Sequence, residues 1–481
     1  MSLSSWIWML TVLMCGTFLI ISWKVKDKAS SSFSNYAIGG GTFPMYLIFF
    51  TQFATIMGVG NFIGHAGKGY SVGLPWMAFI LGEQGSKIIF ALAFAGLAGK
   101  FTYNTFPEMI DDLIARDKVT RALAGVLASM IMIAWVGGQG KALGNIFNVV
   151  TGANPIPVIL IFSAIFVLYT TIGGIYSVVW TDLLQGVLVV IFGTIFYIYA
   201  FSPVHWDLAE LGTRLAAVGH AEMWTMGNNS MLELGTKFMT GCVGILAAQI
   251  YWQRCFAAKD SKTARNGLLY SGIIAIIMVM LTALVGMVIM TLKQGLEPDN
   301  AMPWFMLNYV PVGMSAMIFA LILAAGMSSA DSNLNSAAIL IVNDLIRPFK
   351  EKATDKQLVK YAKYMTVIIG ILASIAGIYA ESILSLFSKA YAMAGGGLVP
   401  LLLVGLLWKE RSKESFEMGK KNSKVTPWGA RVGIVTGSIL TQIPALGPNS
   451  VLIALAVSAI LIIIVSTMTR NKNVENEGKT D

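Results

Sequence analysis

Leu323-Ala-Ala-Gly-Met-Ser-Ser-Ala-Asp-Ser332 places a dense polar cluster inside an almost purely apolar run, 311–345. That run is long enough to hold a helix across a bilayer core of about 30 Å, with an extension beyond it. Hydroxyls in such a helix have an ordinary use, bonding back to their own carbonyls. The carboxylate of Asp331 has none, because an ionisable group at that depth is costly and marks function. A sodium ion needs several hard oxygens. Carbonyls freed by helix unwinding and nearby hydroxyls supply them. The Ala325 carbonyl lies one helical turn before Ser328 and Ser329, so these three are candidate ion ligands.

Twelve further apolar runs surround this one. The thirteen lie near 6–23, 43–69, 74–98, 121–149, 155–173, 176–200, 236–255, 266–292, 311–345, 359–379, 383–407, 427–444 and 450–468. The 481-residue chain is 56% hydrophobic and 12% charged, against about 25% charge in a soluble domain. The expected fold class is an all-α membrane protein of about 13 transmembrane helices, with the lipid bilayer as partner. The net charge of +9 sits in short loops between spans rather than in a binding stripe, which excludes nucleic acid. Basic residues fill alternate loops, which puts the N-terminus outside and the C-terminus in the cytoplasm of a cell (inner or plasma) membrane. The first span has Lys24, Lys26 and Lys28 after it and no basic residue before it, so it reads as a retained helix. Three scattered cysteines and three histidines form no disulfide framework or metal site. No nucleophile elbow, phosphate loop or metalloprotease helix is present, so the chain does not read as an enzyme.

Spans two to six and seven to eleven make two sets of five. An odd number inverts the second set relative to the first, as in an inverted repeat with its site at the midplane. The expected organisation is an extra helix and inner loop (1–42), a first repeat (43–200), an outer loop (201–235), a second repeat (236–407), two further helices (408–469) and a disordered cytoplasmic tail (470–481). The first helix of each repeat is glycine-interrupted, at Ala54-Thr-Ile-Met-Gly-Val-Gly60 and Thr240-Gly-Cys-Val-Gly244. Two readings stand for these glycines: helix breaks facing a ligand, or close helix packing. Asp182, in Trp180-Thr-Asp182, is either a buried carboxylate or a helix-start residue favoured by the dipole. Glu83 and Lys87 are spaced to pair on one helix face. Lys141 either snorkels or joins Gln139 at a cavity.

Four segments together resemble the sodium:solute symporter family, which includes proline, pantothenate, sialic acid and glucose symporters. They are Gly64-His-Ala-Gly67 with Tyr70 and Gly73; Tyr169-Thr-Thr-Ile-Gly-Gly174 with Val179-Trp-Thr-Asp-Leu-Leu-Gln185; Gln253-Arg254 with Ala257-Ala-Lys-Asp-Ser261; and Ala325 to Ser332. The resemblance, over roughly residues 5 to 440, implies a leucine-transporter-type fold with a 5+5 inverted repeat. It implies a principal sodium site at Ala54, Met57, Ala325, Ser328 and Ser329. It further implies a second cation site at Asp182, Ser328, Asp331 and Ser332, with Asp331 standing where such members have serine. Ile56, Gly58, Gly60 and Asn61 depart from the proline and sugar carriers, so neither solute is supported. Thr55, Gly58, Asn61, Gln139 and Lys141 are candidate solute contacts, and a carboxylate-bearing solute fits Lys141 and exposed helix amides. The expected function is sodium-coupled secondary active symport of a small organic solute by alternating access. Sodium is the coupling ion, with no organic cofactor, and protein partners stay open. Proton coupling through Asp331 or Asp182 is the alternative. A channel lacks a repeated filter, and a non-transporting sensor finds no support in the short tail.

Overall fold

The structure is a computed structural model that describes residues 2–98, 103–409 and 423–477. It is helical almost throughout. Among the described residues, β pairing is limited to two isolated bridges, Phe43 with Ala258 and Lys409 with Ser423.

The chain opens with α1 (Leu3–Ala29). A bent pair follows, α2 (Met45–Ile56) and α3 (His65–Val72), joined through a wide turn at Gly60–Gly64. Then come α4 (Met77–Ala93), α5 (Lys118–Thr151) and α6 (Pro155–Phe201). A second bent pair is α7 (Met231–Ala247) and α8 (Gln249–Ala257). The remaining long helices are α9 (Ser261–Leu292), α10 (Val312–Leu340), α11 (Asp355–Tyr379), α12 (Ile383–Leu407), α13 (Pro427–Leu440) and α14 (Ser450–Glu477).

Eight helices among the described residues are long and apolar enough to cross a membrane, and the two bent pairs qualify as spans. One of the eight, α6, has 47 residues, about 70 Å of helix and over twice the bilayer core. It breaks at Gly174, with φ 49° and ψ −143°, into two spans. With the shorter α4 and α13, the spans come to the thirteen read from hydropathy. The tail differs from expectation: α14 continues as helix past Thr469 to Glu477, and residues 478–481 lie outside the described residues. So do Arg411, Lys413, Lys420 and Lys421 of the loop before α13.

The two broken helices bend by 49° and 43°. The first breaks at Met57 and Gly58, inside the expected segment. The second breaks at Ala248, with φ −79° and ψ 117°, beyond Thr240–Gly244. Gly241 and Gly244 stay helical because they serve contact. A Cβ at Gly244 would lie 2.1 Å from the Tyr391 ring, and one at Gly241 would lie 2.6 Å from the Phe79 carbonyl. Close packing was the right reading for these two glycines.

The halves fit together in matching ways. In the α3–α9 seam, a Cβ on Gly69 would stand 1.8 Å from the Ala283 carbonyl, and one on Gly286 would stand 1.9 Å from the Ala66 carbonyl. In the α4–α7 seam, a Cβ on Gly82 would stand 1.9 Å from the Phe238 carbonyl. In each seam one broken helix meets, backbone to backbone, the helix that follows the other broken helix. Between the halves, α5 and α10 pack against each other, and α10 is buried from Ile318 to Leu340 except at Ala320. Peripheral helices turn apolar side chains outward, such as Val12 and Leu13 of α1, where lipid replaces water.

Candidate functional site

The first oxygen cluster lies where α2 ends. The Ser328 hydroxyl is 2.9 Å from the Ala54 carbonyl and 2.9 Å from the Ala325 carbonyl. The Ser329 hydroxyl donates to the Thr55 carbonyl at 2.7 Å. Met57 is the first residue off the helix. Four of the five expected sodium ligands therefore meet or adjoin here, and Met57 sits at the break beside them. Neutral carbonyl and hydroxyl oxygens suit a hard monovalent cation. Among the described residues no group of His, Cys, Asp and Glu is placed to hold a metal ion instead.

A second cluster sits alongside. Asp182 Oδ2 accepts from the Thr51 hydroxyl at 2.5 Å and from Ser332 at 3.4 Å. Asp331 Oδ2 accepts from the Tyr169 hydroxyl at 2.9 Å and from Thr181 at 3.3 Å. Each aspartate keeps one buried oxygen, Oδ1, without a hydrogen-bond partner. The unexpected member is Arg254. The sequence places it at a span end among basic loop residues, yet it is 1% exposed. Its Nη2 donates to Ser332 at 2.6 Å, Thr51 at 3.1 Å and Thr55 at 3.2 Å, and lies 3.9 Å from Asp182. The break at Ala248 redirects α8 inward and carries Arg254 with it; no periodicity in the sequence signals that turn. Two carboxylates against one guanidinium leave room for one further positive charge.

A small cavity, about 30 Å3, lies beside the first cluster. Thr55, Gly58, Asn61 and Gln139 line it as expected, together with Ser329. Gln139 Oε1 accepts from the Val59 amide at 2.9 Å. Gly58 has no room for a side chain: a Cβ there would lie 2.1 Å from Ser329 Oγ and 3.1 Å from Gln139 Oε1. The Phe387 ring lies between Gly60 and Gly138, 2.6 and 2.3 Å from where their Cβ atoms would be. Lys141 is elsewhere. It lines a separate cavity of about 260 Å3 with Lys68, Glu297, Asp299 and Glu381. Residues two apart on a helix point about 200° from each other, so Gln139 takes the inner face and Lys141 does not.

The inner cavity has charges that sequence spacing reads as a self-contained pair. Both Glu83 and Lys87 line it, and among the described residues they form no direct ion pair. Glu83 accepts from Tyr391 Oη at 3.0 Å and Gln84 Nε2 at 2.8 Å, and lies 3.3 Å from His65 Nε2. Lys87 Nζ donates to Gln84 Oε1 at 2.6 Å. The i,i+4 rule overlooks Gln84, which bridges the two on α4, and the partners that α3 and α12 bring to Glu83.

The family model described as the sodium:solute symporter family matches residues 36–415. The sodium/sialic acid symporter SiaT of Proteus mirabilis (strain HI4320) is 25% identical over 85% of this chain and 86% of its own length. A sodium/glucose cotransporter of Vibrio parahaemolyticus is also 25% identical, over 82% of this chain and 79% of its own. In three dimensions, a substrate-bound, outward-open Na+-coupled sialic acid symporter matches with a TM-score of 0.80 at 21% identity, over 96% of this chain and 98% of that one. The model match spans most of the sequence, the fold agrees, and the chain belongs to the sodium:solute symporter family.

Proposed function

We propose that the chain imports a small carboxylate-bearing organic solute, driven by sodium, with its N-terminus outside and its C-terminus in the cytoplasm. The coupling ion binds at Ala54, Met57, Ala325, Ser328 and Ser329. The observation that carries this reading is the single hydroxyl of Ser328, 2.9 Å from a carbonyl on each of α2 and α10. An ion held there by both helices favours the conformations in which they approach, and an ion shifts a conformational equilibrium only by such differential affinity. Ser329 also lines the solute cavity, so ion and solute share a wall.

Asp182, Asp331, Ser328 and Ser332 form the second cation site, with Arg254 as a resident positive charge. A second sodium would compete with Arg254 for Ser332. A proton would meet no such competition at Asp331, whose Oδ1 is unpartnered; that observation keeps proton coupling as the second reading. The test is uptake into proteoliposomes. Replacing both Ser328 and Ser329 with alanine should raise the sodium concentration for half-maximal uptake about tenfold, for roughly 1.4 kcal/mol of lost ligation. Full uptake driven by a pH gradient in sodium-free buffer would promote the proton reading instead.

A further inference from the structure

We infer that Lys87 is the solute's anion anchor, and that the inner cavity selects small unsubstituted monocarboxylates over amino acids. This rests on the symport reading above and names its substrate class. Hydrogen-bonding capacity around this small space is unevenly used. An ammonium has three N–H donors. Lys87 is 4% exposed, and among the described residues its one side-chain hydrogen bond goes to Gln84. Trp135, 8% exposed, also lines the cavity; among the described residues its buried indole N–H makes no well-formed hydrogen bond, and Tyr391, its weak partner, gives its own proton to Glu83. Gln139 commits its oxygen to Val59, and its amide N–H2 makes no hydrogen bond to a described residue. Three donor groups, one of them charged, thus stand around the cavity with capacity to spare.

The charged acceptor, Glu83, has less to spare, with about four acceptor sites on a carboxylate. Tyr391 donates to Oε1 and Gln84 to Oε2, and His65 Nε2 lies 3.3 Å from Oε2. A carboxylate would satisfy the waiting donors, whereas an added ammonium group would compete with Tyr391, Gln84 and His65 for Glu83 and meet the Lys87 charge in the same cavity. Burying an unpaired charge is strongly unfavourable, so a zwitterion is excluded more firmly than a shorter acid. The Phe387 and Tyr251 rings also line the cavity, the latter 5.8 Å from Lys87 Nζ, and suit a short apolar tail.

The test uses the full chain in proteoliposomes with an inward sodium gradient and radiolabelled acetate, propionate, pyruvate and alanine. At least one of the three acids should accumulate, alanine should not, and unlabelled propionamide should fail to compete. Lys87→Met should raise the half-saturation constant for the acid about a hundredfold or more, as expected when a buried charge loses its partner. Trp135→Phe, which keeps the ring and removes one donor, should raise it about tenfold. Both variants should keep the parent's sodium-dependent thermal stabilisation. If Lys87→Met does not fold, Trp135→Phe decides alone. A parent stabilised by sodium that carries alanine and none of the acids overturns the anion inference while leaving symport intact. Unchanged half-saturation in the folded variants also overturns it. Sodium that stabilises the parent no better than potassium overturns the symport reading and the inference with it.

Discussion

Gly58 shows how much of the site depends on a missing side chain. The break in α2 brings this residue against Ser329 and Gln139, with 2.1 and 3.1 Å left for a Cβ. Gly58→Ala should therefore displace Ser329 from the ion cluster at a cost of about 1–3 kcal/mol of overpacking. Uptake should fall and the sodium requirement should rise together, measured as a sodium titration of uptake. A variant with parental sodium dependence would show that the backbone there yields without disturbing the ligands. At this scale the serine cluster was legible, because hydroxyls and a carboxylate crowded into an apolar run need a reason. Lys141 was misplaced because its neighbour Gln139, not its own charge, sits on the inward face. Glu83 and Arg254 were misread for a shared reason: partners such as Tyr391 for the one, and Thr51 and Thr55 for the other, come from helices far away in sequence.

Among the elements, the broken helices matter most. Glycine content located the first break, where Gly58 leaves the helix. It failed at the second, where Ala248 turns extended with no glycine, and Gly241 and Gly244 instead admit the backbone of α4 and the ring of Tyr391. Small residues in membrane helices serve both ends, and only the neighbouring helix decides which. The seams themselves carry a prediction. Gly69→Ala puts a methyl group where the Ala283 carbonyl lies, 1.8 Å from the ideal Cβ, and must push α3 from α9. Turnover should fall about tenfold or more, the rate equivalent of about 1.4 kcal/mol, while sodium still stabilises the purified protein. An unaffected uptake rate would mean that α3 and α9 separate in the slow step of the cycle anyway.

For the whole molecule, hydropathy and loop charge gave the number of spans, since a helix that faces lipid cannot hide its composition. How the helices outside the two repeats attach was not legible. One attachment is ionic: Arg431 of α13 donates to Asp117, the N-cap of α5, at 2.7 and 2.9 Å. Partial burial works against the ionised carboxylate of Asp117, but the Arg431 guanidinium and the Thr120 hydroxyl and amide outweigh it and hold its pKa well below the usual carboxylate range. A carboxylate depressed on folding adds stability above its unfolded pKa of about 3.9 and loses it as pH falls toward the folded value. Arg431→Met should thus lower thermal stability at pH 7 by on the order of 1 kcal/mol, typical of a partly exposed pair. Below about pH 4 that deficit should shrink. A deficit that stays constant with pH would assign the loss to packing against Trp428 instead.

The seams also have a genetic consequence. Any base change that replaces glycine with another residue adds at least one carbon atom. At Gly69, Gly82 and Gly286 that carbon would meet a neighbouring main-chain oxygen within 1.9 Å, whichever residue the new codon specifies. A saturation screen for growth on the transported solute should therefore find these codons as intolerant as those of the ion ligands, although none of the three glycines touches either cargo. Null alleles at these positions should accumulate few second-site revertants at the ligands. Nor should shortening the side chain across the seam rescue them, because the obstructing oxygen belongs to the main chain, which every codon supplies.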